Sequence, residues 1–330
     1  MDTEEFFLTD GDFSIVCGEL SQEDLKTAKH YIETTRHLQE IHQLFLIFNK
    51  NISALQSEFV LKNGGNAFRG RKAANSEADC ISINAYIINI ISAGRTLVES
   101  MECYINTNSN IATESKKKYL DFYHKIYDSS FAYRLLIRLR DYSQHGHLPV
   151  SSRWNNYFFD MMQIVEKPHY NHNKAFESQM KNIIDEIVTN FHDTPTIALT
   201  ETLAEYVANL LSIYKMFWYQ TEKEIAETYD NFQTIVSNYP DNTISKPDSL
   251  SGLFVYDVVD GNMHVVDPKD KPNEMLIQFK KEAEDTFDEY AEAYREVLGG
   301  NLYIKYSDEQ IVLESGETFA DKAIECCETC

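Results

Sequence analysis

Arg140 and His145, five residues apart in the run Arg140-Asp141-Tyr142-Ser143-Gln144-His145, supply the groups that phosphodiester cleavage needs in the absence of a metal. A guanidinium holds two phosphate oxygens at once and offsets the charge that builds on them in the transition state. An imidazole titrates near neutral pH, so it can take the proton of a 2′-hydroxyl or give one to the leaving oxygen. Asp141, beside Arg140, can orient the imidazole or pair with a base. Spacing adds a constraint, because positions five apart on an undistorted helix are turned by roughly 140° from one another. Either the last helical turn loosens before Gly146, or a second chain completes the site. The same two cations also fit a plain helix C-terminal pair favoured by the macrodipole.

The charge around this run differs from that of the chain as a whole. Over 330 residues, 52 acids outnumber 30 bases and the formal net charge is -22, which on average repels nucleic acid. From Lys116 to Arg153, however, eight bases face three acids (Asp121, Asp128 and Asp141), a local balance of +5. Within this island Arg134 and Arg138 lie one helical turn apart. With Lys116, Lys117 and Lys118 they are candidates to grip an RNA backbone, although a solvated face or ion pairs would use the same residues. A second island holds Lys62, Arg69, Arg71 and Lys72, and the balance turns acidic from Pro247 onward. That segregation suggests an acidic C-terminal region that masks a basic cleft until a trigger arrives.

The run Arg140 to His145 resembles the Arg-polar-x3-His signature of the HEPN superfamily, carried late in a helical bundle. Residue by residue, Arg140 matches the Arg, Asp141 the polar position and His145 the His. The resemblance implies RNA cleavage of the toxin or antiviral-defence type, without cofactor, in a cleft built by two protomers. A homodimer, an RNA substrate and a regulatory protein or antitoxin are the partners it implies. The match covers six residues plus a helical context of about residues 20 to 240. A non-catalytic HEPN-like scaffold or sensor, and an acidic mimic of nucleic acid, remain as alternatives from other classes.

The elements that must position these residues are helical. Gly and Pro number only 12 and 7, and the expected fold is mainly α: a bundle of long helices followed by a small acidic α+β region. Ser21 opens the first helix, with Glu23 and Asp24 near its orphan amides. Its apolar seam is Leu38, Ile41, Phe45, Phe48, Ile52, Leu55 and Phe59, and Asn63-Gly64-Gly65 ends it. A second helix from about Ser76 has a core face of Ile83, Ile87, Ile90, Gly94, Leu97, Met101 and Tyr104. The polar run Asn106 to Asn110 reads as a loop, and a third helix runs from about Thr113 to Tyr127. Ser129 is the expected N-cap of a fourth helix that Gly146 and Pro149 stop.

Residues 150 to 170 leave strand, short helix and packed loop open. Helical patterning resumes from about Asn173 to Phe191 and from Thr200 to Val236. Breakers between Pro240 and Pro247 set the expected boundary, giving an N-terminal segment 1–20, a helical domain 21–240 and an acidic region 247–330. In that last region Asp260-Gly261 signals a hairpin, followed by an acidic helix from about Asn273 to Leu298 and a strand from Leu302 to Tyr306.

Other combinations are weaker. His145-Gly146-His147 and His169-x-x-His172 lack the further ligands a metal needs, and His30, Glu33 and His37 fit a solvated helix face, so no metal site is expected. Arg95 and Glu99 fit a helix-surface pair. Six Cys show no disulfide framework, and Cys326, Cys327 and Cys330 form a tail with redox chemistry as a remote option. No apolar stretch reaches the ~20 residues of a membrane span and no basic leader precedes an apolar core, so a cytosolic protein is expected.

Overall fold

The Ser21 hydroxyl accepts a hydrogen bond from the Asp24 amide at 3.1 Å and donates one to the Asp24 carboxylate at 2.8 Å, so the first helix starts at the expected cap. It is α1, Gln22–Asn63, and it stops at Asn63 before the Gly pair. The computed structural model describes residues 6–10, 16–63, 77–153, 156–166, 178, 181–182, 184–185, 196–238, 253–257, 263–266, 278, 281–282, 285, 304–307 and 310–313.

The fold is mainly α. After α1 come α2 (Glu77–Thr107), α3 (Thr113–Ser129), α4 (Phe131–Gln144), α5 (Met161–Glu166) and α6 (Leu199–Asn238). The N-cap of α4 is Ser130, one residue later than expected. Ser129 donates to the Lys125 carbonyl at 2.7 Å and so completes α3, which leaves Ser130 to accept from the Tyr133 amide at 3.1 Å. The ambiguous stretch after Val150 holds a hairpin and a short helix. Strands β3 (Val150–Arg153) and β4 (Asn156–Asp160) pair antiparallel, β5 (Thr196–Ala198) joins the far side of β4, and α5 begins directly after β4.

A four-stranded antiparallel sheet joins the N-terminal segment to residues 253–266. Strands β1 (Phe6–Asp10) and β2 (Val16–Glu19) form its first half, β6 (Leu253–Asp257) and β7 (Met263–Val266) its second, and β1 pairs with β6 in the order β2-β1-β6-β7. Strands β8 (Ile304–Ser307) and β9 (Gln310–Leu313) form a separate hairpin. Within the expected helix 173–191 the described residues 178, 181–182 and 184–185 are helical, as are 278, 281–282 and 285 within 273–298; the rest of both stretches, and Asp260-Gly261 itself, lie outside the described residues.

The chain forms two compact units, each assembled from three stretches: 1–43, 103–118 and 217–282 in one, and 44–102, 119–216 and 283–330 in the other. Both draw on sequence before and after the expected 240–247 division. In the first unit Tyr31 stacks on Phe232 with centroids 4.3 Å apart, and Tyr104 meets Phe217 edge-on at 5.6 Å. In the second, Phe45 stacks on Tyr214 at 4.3 Å and Tyr133 on Tyr206 at 5.6 Å. The seven-position core face read for α2 is buried in full, as are Leu203, Val207, Leu210, Tyr214 and Phe217 of α6. Each such large apolar side chain contributes roughly 1.5–3 kcal/mol relative to exposure.

Helix α2 passes the length and composition test for a membrane span over Cys80–Thr107, with a mean hydropathy of 1.3. Its polar residues have a different use in the second unit. Asn84 is buried and brackets Val150, accepting from its amide at 2.9 Å and donating to its carbonyl at 3.0 Å. The outer edge of β3 is thereby closed by a side chain, one of the ways proteins blunt a strand edge.

Candidate functional site

Helix α4 carries the Arg140 to His145 run, and its start is fixed by a buried hydrogen-bond set. The Ser130 hydroxyl accepts from the Tyr133 amide at 3.1 Å and from Asn209 Nδ2 at 2.9 Å, and donates to Glu205 Oε1. Burial pushes the Glu205 carboxyl above the usual carboxylate range, against the pull of these hydrogen bonds and of Arg134. Two arginines fasten α4 to the end of α3. Arg134 Nη1 donates to the carbonyls of Tyr127 (3.2 Å) and Asp128, and Arg138 Nη2 donates to the Tyr127 hydroxyl at 2.8 Å. A guanidinium on the last carbonyls of a helix satisfies orphan acceptors and meets the negative end of the dipole.

The C-terminal turn does not loosen; it tightens. The His145 amide reaches both the Asp141 carbonyl (3.3 Å) and the Tyr142 carbonyl (3.2 Å), and the Gly146 amide bonds to Ser143 at 3.0 Å. Gly146 then takes φ +84°, the left-handed conformation that glycine adopts without steric cost. His147 turns back to pack on Tyr142, ring centroids 4.8 Å apart. Burial, with Asp160 nearby, pushes the Tyr142 hydroxyl up to about 12.

This geometry exposes His145 at the helix tip and leaves Arg140 three-quarters covered, its side chain 25% accessible. Arg140 Nη1 lies 3.8 Å from Asp141 Oδ1, while its Nε is buried with no hydrogen-bond partner. Among the described residues no hydrogen bond, ion pair or ring contact joins Arg140 to His145, or the Asp141 carboxylate to the imidazole. The structure thus brings Arg140 and Asp141 together and leaves His145 apart.

Beside Arg140 lies an aromatic and cationic cluster. Arg95 Nε donates to Glu99 at 2.7 Å and its Nη1 to the Tyr123 hydroxyl at 3.2 Å, and Tyr123 meets Tyr133 edge-on at 6.4 Å. Tyr206 Oη is fully buried and finds no partner. Burial pushes that hydroxyl well above the ordinary phenol range, against the pull of the Arg95 and Arg140 charges.

Of the remaining sequence candidates, Lys116 Nζ donates to the Asn106 carbonyl at 3.4 Å, Lys118 pairs with Glu114 at 2.9 Å, and Lys117 is exposed. All three belong to the first compact unit, whereas Arg134, Arg138, Arg140 and His145 belong to the second. The Lys62 side chain, Arg69, Arg71, Lys72, His169, His172 and the Cys326, Cys327 and Cys330 tail lie outside the described residues.

The first unit holds a polar network that sequence reading did not reveal. Glu224 on α6 is buried; its Oε2 accepts from the Tyr104 hydroxyl at 3.1 Å and its Oε1 from Asn108 Nδ2 at 3.0 Å. Thr228 donates to Oε1 at 3.4 Å, and His30 Nε2 lies 3.7 Å from the same oxygen. Asn108 Oδ1 accepts from the Asn110 amide at 2.9 Å, which folds the α2–α3 turn over the network. Burial raises the Glu224 carboxyl above its ordinary range despite these donors. No sequence signal marks this set, because its members come from α1, the end of α2, the turn after it and α6. His30 turns to Glu224 and not to the Glu33 that shares its helix.

Among the described residues no three or more His, Cys, Asp and Glu side chains gather in one place. Compared with family models, curated proteins and solved structures, the chain matches none.

Proposed function

We propose that the chain is an endoribonuclease of HEPN type that acts without a catalytic metal, with Arg140 and His145 supplying half of a site that a second copy completes. The observation that supports it is the state of the pair. Among the described residues Arg140 makes no hydrogen bond, only the 3.8 Å approach to Asp141, while Arg134 and Arg138, on the same helix, donate to the end of α3. His145 stands exposed at the tip of that helix, five residues on, and unengaged with Arg140. In this reading Arg140 binds a phosphate and offsets its transition-state charge, His145 moves the proton, and Asp141, 3.8 Å from Arg140, aligns the guanidinium.

A second reading, a non-catalytic helical scaffold in a defence complex, rests on a specific contact. Among the described residues Arg140 pairs with Asp141 of its own helix, an arrangement that also serves as a local ion pair.

The experiment incubates the purified protein with total RNA in EDTA, beside Arg140→Ala and His145→Ala. Removing a general acid or base is expected to cost about 10²–10⁴ in rate, so both variants should be silent while circular dichroism shows them folded. Equal cleavage by all three proteins, or none by any, removes the enzyme and leaves the scaffold. An equimolar mixture of the two variants that regains part of the activity supports completion by a second copy.

A further inference from the structure

His145 occupies the part of α4 most prone to opening, because the last turn of a helix frays at little cost. Its amide and that of Gly146 are the last ones bonded back into the helix, and its side chain is exposed. An imidazole at such a position keeps one place only if the chain beyond it is anchored. Residues 146–149 lead from it to Val150, where β3 begins. There one side chain of α2 grips the backbone twice: Asn84 Oδ1 accepts from the Val150 amide at 2.9 Å, and Asn84 Nδ2 donates to the Val150 carbonyl at 3.0 Å. We propose that Asn84 is a positioning residue for the proton-transfer group, holding the 145–150 segment so that His145 keeps its place at the tip of α4; the catalytic part of this rests on the ribonuclease reading.

The surroundings support the assignment. Asn84 is 1% exposed, so water does not compete for its two bonds to Val150. Nδ2 also donates to the Cys80 carbonyl of its own helix at 3.0 Å, which fixes the orientation of the amide. Between the clamp and the helix the chain has little slack. Pro149 and Val150 are buried, and the His147 ring rests on Tyr142 with centroids 4.8 Å apart, so the segment is pinned at its middle as well as at both ends. Arg140 lies back inside α4 and does not depend on the clamp. Loss of Asn84 therefore separates the two roles: phosphate binding by Arg140 persists, and proton transfer by His145 suffers. A reacting group displaced by about 1 Å can lose about 10²-fold in rate.

The test compares the full-length protein with Asn84→Ala, Asn84→Asp and Ser151→Ala. The last removes an exposed hydrogen bond to Gln163 from the same strand and serves as the control. Hydrogen exchange is read at the His145 and Gly146 amides and at the buried stretch of α6. In Asn84→Ala the two loop amides should exchange at least about tenfold faster with α6 unchanged, and kcat on RNA should fall about 10- to 100-fold while KM stays within about twofold. Asn84→Asp keeps the test decisive should the alanine variant fold poorly. A neutral carboxyl reproduces both bonds to Val150, whereas a carboxylate repels its carbonyl, and burial raises the pKa of such a group. Its loop amides should therefore match the parent at about pH 5 and lose protection by about pH 8, each compared with the parent at the same pH. Ser151→Ala should behave as the parent. Unchanged exchange at His145 and Gly146 in the folded Asn84 variants, or exchange raised equally throughout α6, overturns the proposal. A parent that cleaves no RNA removes the ribonuclease reading, while the exchange arms still decide whether Asn84 holds His145.

Discussion

Gly94 is a position where helix propensity and packing make opposite predictions, and the structure says which wins. An alanine there would gain about 1 kcal/mol of helix propensity over glycine. Its Cβ, however, would fall within van der Waals contact of Tyr206 Oη, 2.6 Å from Leu210 Cδ1 and 3.2 Å from Phe48 Cε2. Unstrained carbon pairs sit at about 3.5–4.0 Å, so Leu210 alone must retreat by roughly 1 Å. Tyr206, Leu210 and Phe48 are each fully buried, with no solvent to move into. Overpacking of this kind typically costs about 1–3 kcal/mol, and here two side chains must move together. Gly94→Ala is therefore expected to destabilise by up to about 2 kcal/mol once the propensity gain is subtracted.

Tyr206 offers the control. Its hydroxyl is buried without a partner, so Tyr206→Phe should be neutral or stabilising, and it removes one of the two worst clashes. In the double variant the costs should not add; a coupling of about 0.5–1 kcal/mol in favour of the pair is expected. Urea unfolding followed by far-UV circular dichroism, with m unchanged, measures all four corners of the cycle. A Gly94→Ala protein more stable than the parent, or strict additivity with Tyr206→Phe, would refute this account of how α6 packs on α2.

Ser130→Ala removes an N-cap and strips Glu205 and Asn209 of their shared hydroxyl; a loss of about 2 kcal/mol is expected in the same urea assay, and a loss under 0.5 kcal/mol would show the cap to be replaceable. Glu205 titrates above the ordinary carboxylate value of 4.5 in the folded state, so the stability it contributes is full below about pH 4.5 and declines as pH rises through the folded value. The stability difference between the parent and Glu205→Gln should therefore drift against the parent between pH 4.5 and neutrality, and a difference constant with pH contradicts the buried carboxyl. For RNA binding, each phosphate contact adds about 0.7 to the salt slope on a single strand. Arg140→Ala should lower that slope by roughly one contact and Arg134→Ala should leave it unchanged, as fluorescence anisotropy at several salt concentrations can show.

What the sequence made legible is what local physics governs. The Ser21 cap, the stop at Asn63 and the buried faces of α2 and α6 follow from capping chemistry and the 3.6-residue period, and the structure has each of them. The β6–β7 hairpin was equally local. Pairings between distant segments were not legible. Nothing in Phe6–Asp10 names Leu253–Asp257 as its partner, because a five-residue apolar strand fits many others, and so the N-terminal segment read as an appendage. The Asn84 bracket on Val150 spans 66 residues and leaves no periodic trace. The same holds for Glu224, whose neighbours His30, Tyr104 and Asn108 lie more than a hundred residues away. For the Arg140 to His145 run the residue types were legible and the geometry was not, since the tightened last turn depends on the backbone of Asp141, Tyr142 and Ser143.

The basic island looks different once its charges are assigned partners. Arg134 and Arg138 are four residues apart and share a face, the one turned to the end of α3, where helical carbonyls and the Tyr127 hydroxyl already meet their donors. Arg140 comes two residues after Arg138, roughly 200° further round the helix, and so cannot join them. Its Nε is left buried without an acceptor of its own. The local excess of +5 therefore overstates what RNA would meet, because two of the eight bases are engaged in fastening α4. The structure also alters how masking by the acidic region can be tested. Cutting the chain at Pro247 removes β6, the strand paired with β1, and would unfold a sheet along with removing charge. Masking by charge alone predicts that neutralising acids beyond Pro247, with β6 and β7 intact, raises RNA affinity at low salt and has no effect at high salt. Equal affinity at low salt in a folded, neutralised variant would eliminate it.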